Sequence, residues 1–181
     1  SLKDINIVIY FNNIRGLKVL EYLEKKKLNI KKIILSKKYL NKGILTKIKK
    51  TNISYSIINS LKTKTNVNLI KKNDLAIVAG FPYIFDQKHI KNSRLGILNC
   101  HAGLLPKYRG GSPLNWQLIN NEKFFGISVI KIYNKIDTGD IISEKKFLLK
   151  KNYNIKNLHE IANKNFPSAI YVSIKKILKY K

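Results

Sequence analysis

Ile5-Asn6-Ile7-Val8-Ile9-Tyr10-Phe11-Asn12-Asn13-Ile14-Arg15-Gly16-Leu17 is the stretch that sets the fold class. Its first six residues form a short apolar run, the pattern of a strand buried in a parallel sheet. Phe11 to Gly16 breaks the run as a turn. Leu17, Leu20, Tyr22 and Leu23 then fall at helical spacing, up to the Lys25-Lys26-Lys27 end. Strand, turn and helix in succession make a β-turn-α unit. The turn lacks the three-glycine dinucleotide fingerprint, so it gives no support for NAD binding.

The alternation continues outward from this unit. Lys32 to Ser36, Ile53 to Ile58, Asp74 to Ala79 and Leu95 to Cys100 read as further strands. Tyr39 to Lys50 reads as a helix with Ile44, Leu45 and Ile48 on one side, weakened by Gly43, and Gln87 to Asn92 as a short one. Asn59 to Lys72 has the weak pattern of a polar helix or loop. Strands alternating with helical segments predict an α/β fold: a Rossmann-like, doubly wound, mostly parallel sheet. Ser112 as N-cap and Pro113 as first helical residue predict a helix to Ile119. Phe125 to Tyr133 and Ile141 to Leu149 read as strands, with Asn134 to Asp140 as the loop between them. Ile155 to Lys179 reads as a long amphipathic helix that Pro167 should kink or interrupt. No linker or repeat divides the 181 residues, so a single domain, 1–181, is expected.

Composition narrows the function classes. The hydrophobic share of 44% is that of a globular chain, and no apolar run has the length of a membrane span. Ile5 to Tyr10 is short and preceded by Lys3 and Asp4, which suits a buried strand better than a signal peptide. A single cysteine, Cys100, excludes an internal disulfide and a multi-cysteine zinc site. It agrees with a reducing compartment, and a cytoplasmic location is expected. The histidines, His89, His101 and His159, stand at no ligand-like spacing, so no metal is expected. The formal net charge is +26, from 36 Lys+Arg against 10 Asp+Glu. Such a field attracts anions: nucleic acid, sugar nucleotides, polyglutamylated cofactors. Lysine recurs in every segment, however, which fits compositional drift better than a nucleic-acid-binding tail.

The chemistry gathers in Asn99-Cys100-His101-Ala102-Gly103-Leu104-Leu105-Pro106-Lys107-Tyr108-Arg109-Gly110-Gly111. Residues i and i+2 of a strand share a face, so Asn99 and His101 are expected in one pocket with Cys100 turned away. That makes Cys100 a buried structural thiol rather than a nucleophile. A neutral histidine is the default base near pH 7, and an asparagine amide can donate to a developing oxyanion. Asp137 beside the histidine would raise its basicity or hold a water. The trio suits acyl transfer to an amine without a covalent intermediate. Lys107, Tyr108, Arg109 and Gly110 read either as a phosphate-binding or as a solvated loop. Trp116 reads as core, and His89 and His159 as ordinary surface or helix residues.

The stretch closely resembles the N-x-H-x-S-L-L-P-x-Y-R-G signature of formyltransferases that use 10-formyltetrahydrofolate. Asp137-Thr138-Gly139-Asp140-Ile141-Ile142 is similar to their second signature, D-T-G-D-I. The resemblance runs from Ile5 to the final helix and implies a Rossmann-like formyltransferase catalytic domain with N10-formyltetrahydrofolate as cosubstrate. It implies that Asn99 binds the formyl oxygen, that His101 moves the proton, and that Asp137 tunes His101 and anchors a relay water. Gly80, Phe81, Pro82, Tyr83 and Ile84 match the stretch whose backbone helps bind the pterin. The Asp137, Thr138, Gly139 and Asp140 loop would form the opposite wall. Gly103 stands where the signature has Ser, and a slightly looser loop is expected there. Gly111-Ser112-Pro113-Leu114-Asn115-Trp116 looks like the P-L-N-W of enzymes that formylate amino sugars on nucleotides. The expected acceptor is therefore a nucleotide-linked amino sugar. A minimal methionyl-tRNA formyltransferase is the alternative, with tRNA as the less favoured partner, and a non-catalytic folate- or nucleotide-binding module comes third. Both enzyme groups normally add a C-terminal domain, which the chain is expected to lack. A homodimer is left open.

Overall fold

The computed structural model describes residues 2–62, 73–133 and 137–180. After a short 3-10 turn at Leu2–Asp4 come strands β1 (Ile7–Tyr10), β2 (Ile30–Ser36), β3 (Tyr55–Ile58), β4 (Leu75–Val78) and β5 (Ile97–His101), with helices connecting β1 to β2, β2 to β3 and β4 to β5. Two further strands follow, β6 (Phe124–Lys131) and β7 (Ile141–Leu148). The described helices are α1 (Ile14–Lys25), α2 (Lys42–Lys49), α3 (Gln87–Lys91), α4 (Pro113–Ile119) and α5 (Ile155–Lys179). They build one seven-stranded sheet of order β3-β2-β1-β4-β5-β6-β7. The first five strands are parallel, and β6 and β7 join antiparallel. This is the doubly wound, mostly parallel α/β architecture expected from the alternation of strands and helices.

Strand periodicity splits the core in two. Ile7, Ile9, Phe11, Ile77, Leu98 and Cys100 face α1, α2, α4 and α5 on one side. Val8, Tyr10, Ile34, Ala76, Val78 and Ile97 face the other side, where Phe85 and Ile90 cover them. Side chains at successive positions alternate between the two clusters, as the pleat requires. Central strands β1 and β4 are buried at every position, which is why both read as unbroken apolar runs.

Several boundaries differ from the sequence reading for local reasons. The second helix starts at Lys42 rather than Tyr39, because the Asn41 side chain caps it by accepting from the Ile44 N–H at 3.0 Å. Ser112 does not cap α4: it sits at φ 53°, ψ 43° and makes no capping bond. Pro167 does not break α5, which runs unbroken from Ile155 to Lys179. Its neighbours Phe166, Ala169 and Ile170 are buried in the core, and that packing outweighs one missing N–H. The weak Asn59 to Lys72 segment is described only to Lys62, where it is not helical; 63–72 lie outside the described residues, as do 134–136 of the loop before Asp137. Among the described residues no helix is long and apolar enough to cross a membrane.

Candidate active site

β5 is the strand on which the sheet changes character. It pairs parallel with β4 and antiparallel with β6. Its C-terminal end therefore opens at the rim where parallel α/β sheets carry their sites, and Asn99 and His101 stand at that end. Asn99 lies between Val78 and Ile130 in the ladder and lines a cavity of about 220 Å³. Phe81, Tyr83 and Phe85 wall that cavity on one side, and Asp137 and Gly139 on another. Phe81 and Phe85 meet the Tyr10 ring edge-on at 5.3 and 5.0 Å, so the wall is braced from beneath. Tyr83 donates from its hydroxyl to the Asn59 carbonyl at 2.7 Å.

The glycines here answer to close approaches. Gly80 turns the chain at φ 76°, where a side chain would also overlap Asn13. Gly139 has no room for a Cβ, which would overlap the Lys131 carbonyl. Together they set the two walls: Gly80, Phe81, Pro82 and Tyr83 on one side and Asp137 and Gly139 on the other. Ile84 lines the mouth and is largely exposed. Asp140 turns outward and accepts from the Tyr133 hydroxyl at 2.8 Å, while Thr138 is exposed.

His101 is 5% exposed and faces a polar group at each ring nitrogen. Nε2 meets the main-chain carbonyl of Tyr108, and Nδ1 faces Asp137 Oδ2 at 3.5 Å. A carbonyl only accepts, so Nε2 carries the N–H and the free lone pair of the neutral ring is on Nδ1. Asp137 is itself fixed: Gly110 donates its N–H to Oδ2 at 2.9 Å, and Asp137 takes a left-handed backbone at φ 51°. A proton arriving on Nδ1 would thus meet a carboxylate already in place.

Gly103 makes this arrangement possible. A Cβ there would lie 2.9 Å from both His101 Nε2 and the Tyr108 carbonyl, and 2.8 Å from Pro113 Cβ. With glycine at 103, the Tyr108 carbonyl and the His101 ring close over the space a side chain would take. Ser128 Oγ donates to the Gly103 carbonyl at 2.8 Å. Gln117, fully buried on α4, ties the same loop to the sheet: Nε2 donates to the Ala102 carbonyl at 3.1 Å and Oε1 accepts from Gly126 N–H at 3.0 Å. Sequence reasoning passed over Gln117. Its only signal was an amide among the apolar residues of a short helix.

The proposed anion loop divides. The Tyr108 side chain turns inward, with its hydroxyl donating to Glu122 and accepting from Asn120, so it reaches the site only through its backbone. Lys107 pairs with Glu122, and that contact together with the Tyr108 hydroxyl holds the Glu122 carboxyl below its ordinary range. Arg109 and Gly110 are exposed. Trp116 is 54% exposed and is not core; α4 turns Leu114 and Gln117 inward instead. A larger cavity of about 890 Å³ lies where strand order reverses between β1 and β4, lined by Asn12, Asn13, Tyr39, Lys47, Gly80 and Phe81.

The profile of the formyl transferase family matches residues 4–173. The chain belongs to that family. A curated methionyl-tRNA formyltransferase from Staphylococcus epidermidis is 33% identical over 113 residues, 58% of this chain and 36% of that protein. One from Orientia tsutsugamushi is 39% identical over 103 residues, 56% of this chain and 34% of the relative. The matched regions thus take up about a third of these relatives' length. Among solved structures, the phosphoribosylglycinamide formyltransferase of Bacillus halodurans superposes with a TM-score of 0.81 at 14% identity, covering 97% of both chains. The formyltetrahydrofolate deformylase of Pseudomonas syringae gives 0.78 at 13% identity, covering 93% of this chain and 59% of that one. At these identities the superpositions establish the fold. The formyl donor of the family is N10-formyltetrahydrofolate, the cosubstrate expected from the sequence. The aromatic walls of the smaller cavity, with the Asn99 amide and the Asp137 carboxylate at its end, fit a flat, hydrogen-bonding heterocycle.

Proposed function

We propose that this chain transfers the formyl group of N10-formyltetrahydrofolate to the primary amine of a nucleotide-linked amino sugar. The observation that carries the reaction class is the convergence of Asn99, His101 and Asp137 beside the aromatic cavity. The amine lone pair forms a bond to the formyl carbon, and the bond from that carbon to N10 breaks. The Asn99 amide donates to the carbonyl oxygen as negative charge gathers on it. His101 Nδ1 takes the proton the amine must lose, and Asp137 stabilises the resulting imidazolium until the proton passes to the departing nitrogen. Pro113 to Trp116 favours the sugar by its likeness to the P-L-N-W segment, and it opens α4 next to His101, where Pro113, Leu114 and Asn115 line a cavity with the ring.

A second reading, charged initiator tRNA as acceptor, is favoured by the methionyl-tRNA formyltransferase relatives and by the net charge of +26. A formylation assay offering amino-sugar nucleotides beside charged initiator tRNA decides between them. Turnover of tRNA alone would overturn the sugar assignment. With the true acceptor, Asn99→Ala, His101→Ala and Asp137→Ala should each lower turnover about 10²–10⁴-fold. Full turnover in any one of them would remove that residue from the mechanism.

A further inference from the structure

The chain that leaves β5 is gripped at successive main-chain groups. Ser128, on β6, donates to the Gly103 carbonyl at 2.8 Å and accepts from the Leu105 N–H at 3.4 Å. Gln117, on α4, takes the alternate groups. Its Nε2 donates to the Ala102 carbonyl at 3.1 Å, and its Oε1 accepts from the Leu104 N–H at 3.3 Å. The same side chain donates to the Pro113 carbonyl at 3.2 Å and accepts from the Gly126 N–H at 3.0 Å. A carboxamide has two donor hydrogens and two acceptor lone pairs, and the fully buried Gln117 engages all of them. A leucine of similar volume would fill this inward face of α4 without that demand, whereas a buried amide is tolerated only when it is satisfied.

The Gln117 grip continues to His101. Leu104, held at its N–H by Gln117, accepts at its carbonyl from the Tyr108 N–H at 3.1 Å. The Tyr108 carbonyl in turn accepts from His101 Nε2. Asp137 Oδ2, at 3.5 Å from Nδ1, competes for the single proton of the neutral ring, and the carbonyl is the closer of the two acceptors. We propose that Gln117 is a positioning residue, which holds the Tyr108 carbonyl on Nε2 and so keeps the lone pair of His101 on Nδ1. The use of that lone pair as a base rests on the transferase reading above; the choice of tautomer does not. Without the Leu104 bond the carbonyl drifts from Nε2 and Asp137 draws the proton to Nδ1. The nitrogen beside Asp137 is then already protonated and cannot take a proton from an amine.

Histidine-selective nitrogen-15 spectra at pH 8 read the tautomer directly, with the His101 signals assigned by their loss in His101→Asn. The wild type should show Nε2–H. Gln117→Leu should turn the ring mainly to Nδ1–H and lower kcat about ten- to a hundred-fold, with donor and acceptor KM nearly unchanged. Gln117→Glu, which keeps an oxygen for the Leu104 N–H, should restore the Nε2–H form and most of the lost turnover. Wild-type His101 in the Nδ1–H form, or a Gln117→Leu protein whose ring stays Nε2–H, would overturn the proposal. Should neither variant fold, hydrogen exchange in the wild type decides. The Leu104 and Tyr108 amides should exchange at least about a hundred-fold more slowly than those of an unstructured chain, and free exchange at Leu104 would equally overturn it. An unaltered tautomer in Gln117→Leu beside an inactive His101→Ala would remove Gln117 and keep the transferase reading. Absence of turnover with every acceptor offered would defeat that reading and leave the tautomer result intact.

Discussion

Cys100 sits between Asn99 and His101, the two β5 residues that the proposed mechanism uses, and has no part in that mechanism. The pleat turns its thiol into the core shared with α1 and α5, and burial raises its pKa to about 12. The thiol therefore stays protonated and unreactive at neutral pH. The folded chain keeps this proton above the ordinary thiol value of about 8.5, where the unfolded chain releases it. The contribution is complete below about 8.5 and is lost as pH rises towards 12. Between pH 8 and 10 the wild type should lose about 1–2 kcal/mol relative to Cys100→Ala, on top of losses common to both. Denaturant titrations of the two proteins across that range measure it, and parallel curves would show a thiol that ionises freely. Gly103 belongs to the same scale. Its identity was plain in the sequence, but its effect was not, because only the fold shows that a neighbouring carbonyl fills the space a side chain would take.

At the scale of elements, α3 shows what short polar helices conceal. His89 reads as an ordinary surface or helix residue among lysines, yet it is 1% exposed. Its Nδ1 faces Asp86 Oδ1 at 2.6 Å and its Nε2 faces the Leu61 carbonyl at 2.9 Å. The ring also packs edge-on against Phe85 at 5.9 Å. It thereby pins the segment carrying Phe81 to Phe85, the wall of the aromatic cavity. His89→Ala should cost about 2–3 kcal/mol of folding stability and raise the donor KM more than it lowers kcat. A variant of native stability and native donor KM would show that the wall stands without the clamp. Nothing in Gln87 to Lys91 signals this burial, since helical periodicity cannot be read from little more than one turn. The strands were legible for the opposite reason: β1, β4 and β5 are apolar runs whose burial is dictated by their own composition. Trp116 and Ser112 misled because both sit at the rim, where the loop from Gly103 sets the geometry and local propensity does not.

For the whole molecule, the mostly parallel, doubly wound class was recoverable, and the placement of Asn99 and His101 together at the end of β5 was legible from strand spacing. Which loops close on them was not legible, because Gly110 meeting Asp137 and Arg15 meeting Asn163 are contacts between segments far apart in the chain. The seam at β5 has a consequence for the order of events. The aromatic cavity continues the core face of Val78 and Phe85, whereas a second cavity of about 300 Å³, lined by Arg15, His101 and Asn115 among others, continues the opposite face of Cys100 and Leu114. On the proposed transferase reading, donor and acceptor would approach the same strand tip from opposite sides of the sheet, and neither would have to vacate its seat for the other. Initial-rate plots at several fixed donor concentrations should intersect, as they do when a ternary complex forms. Parallel lines would mean instead that the formyl group is parked on the protein between two visits.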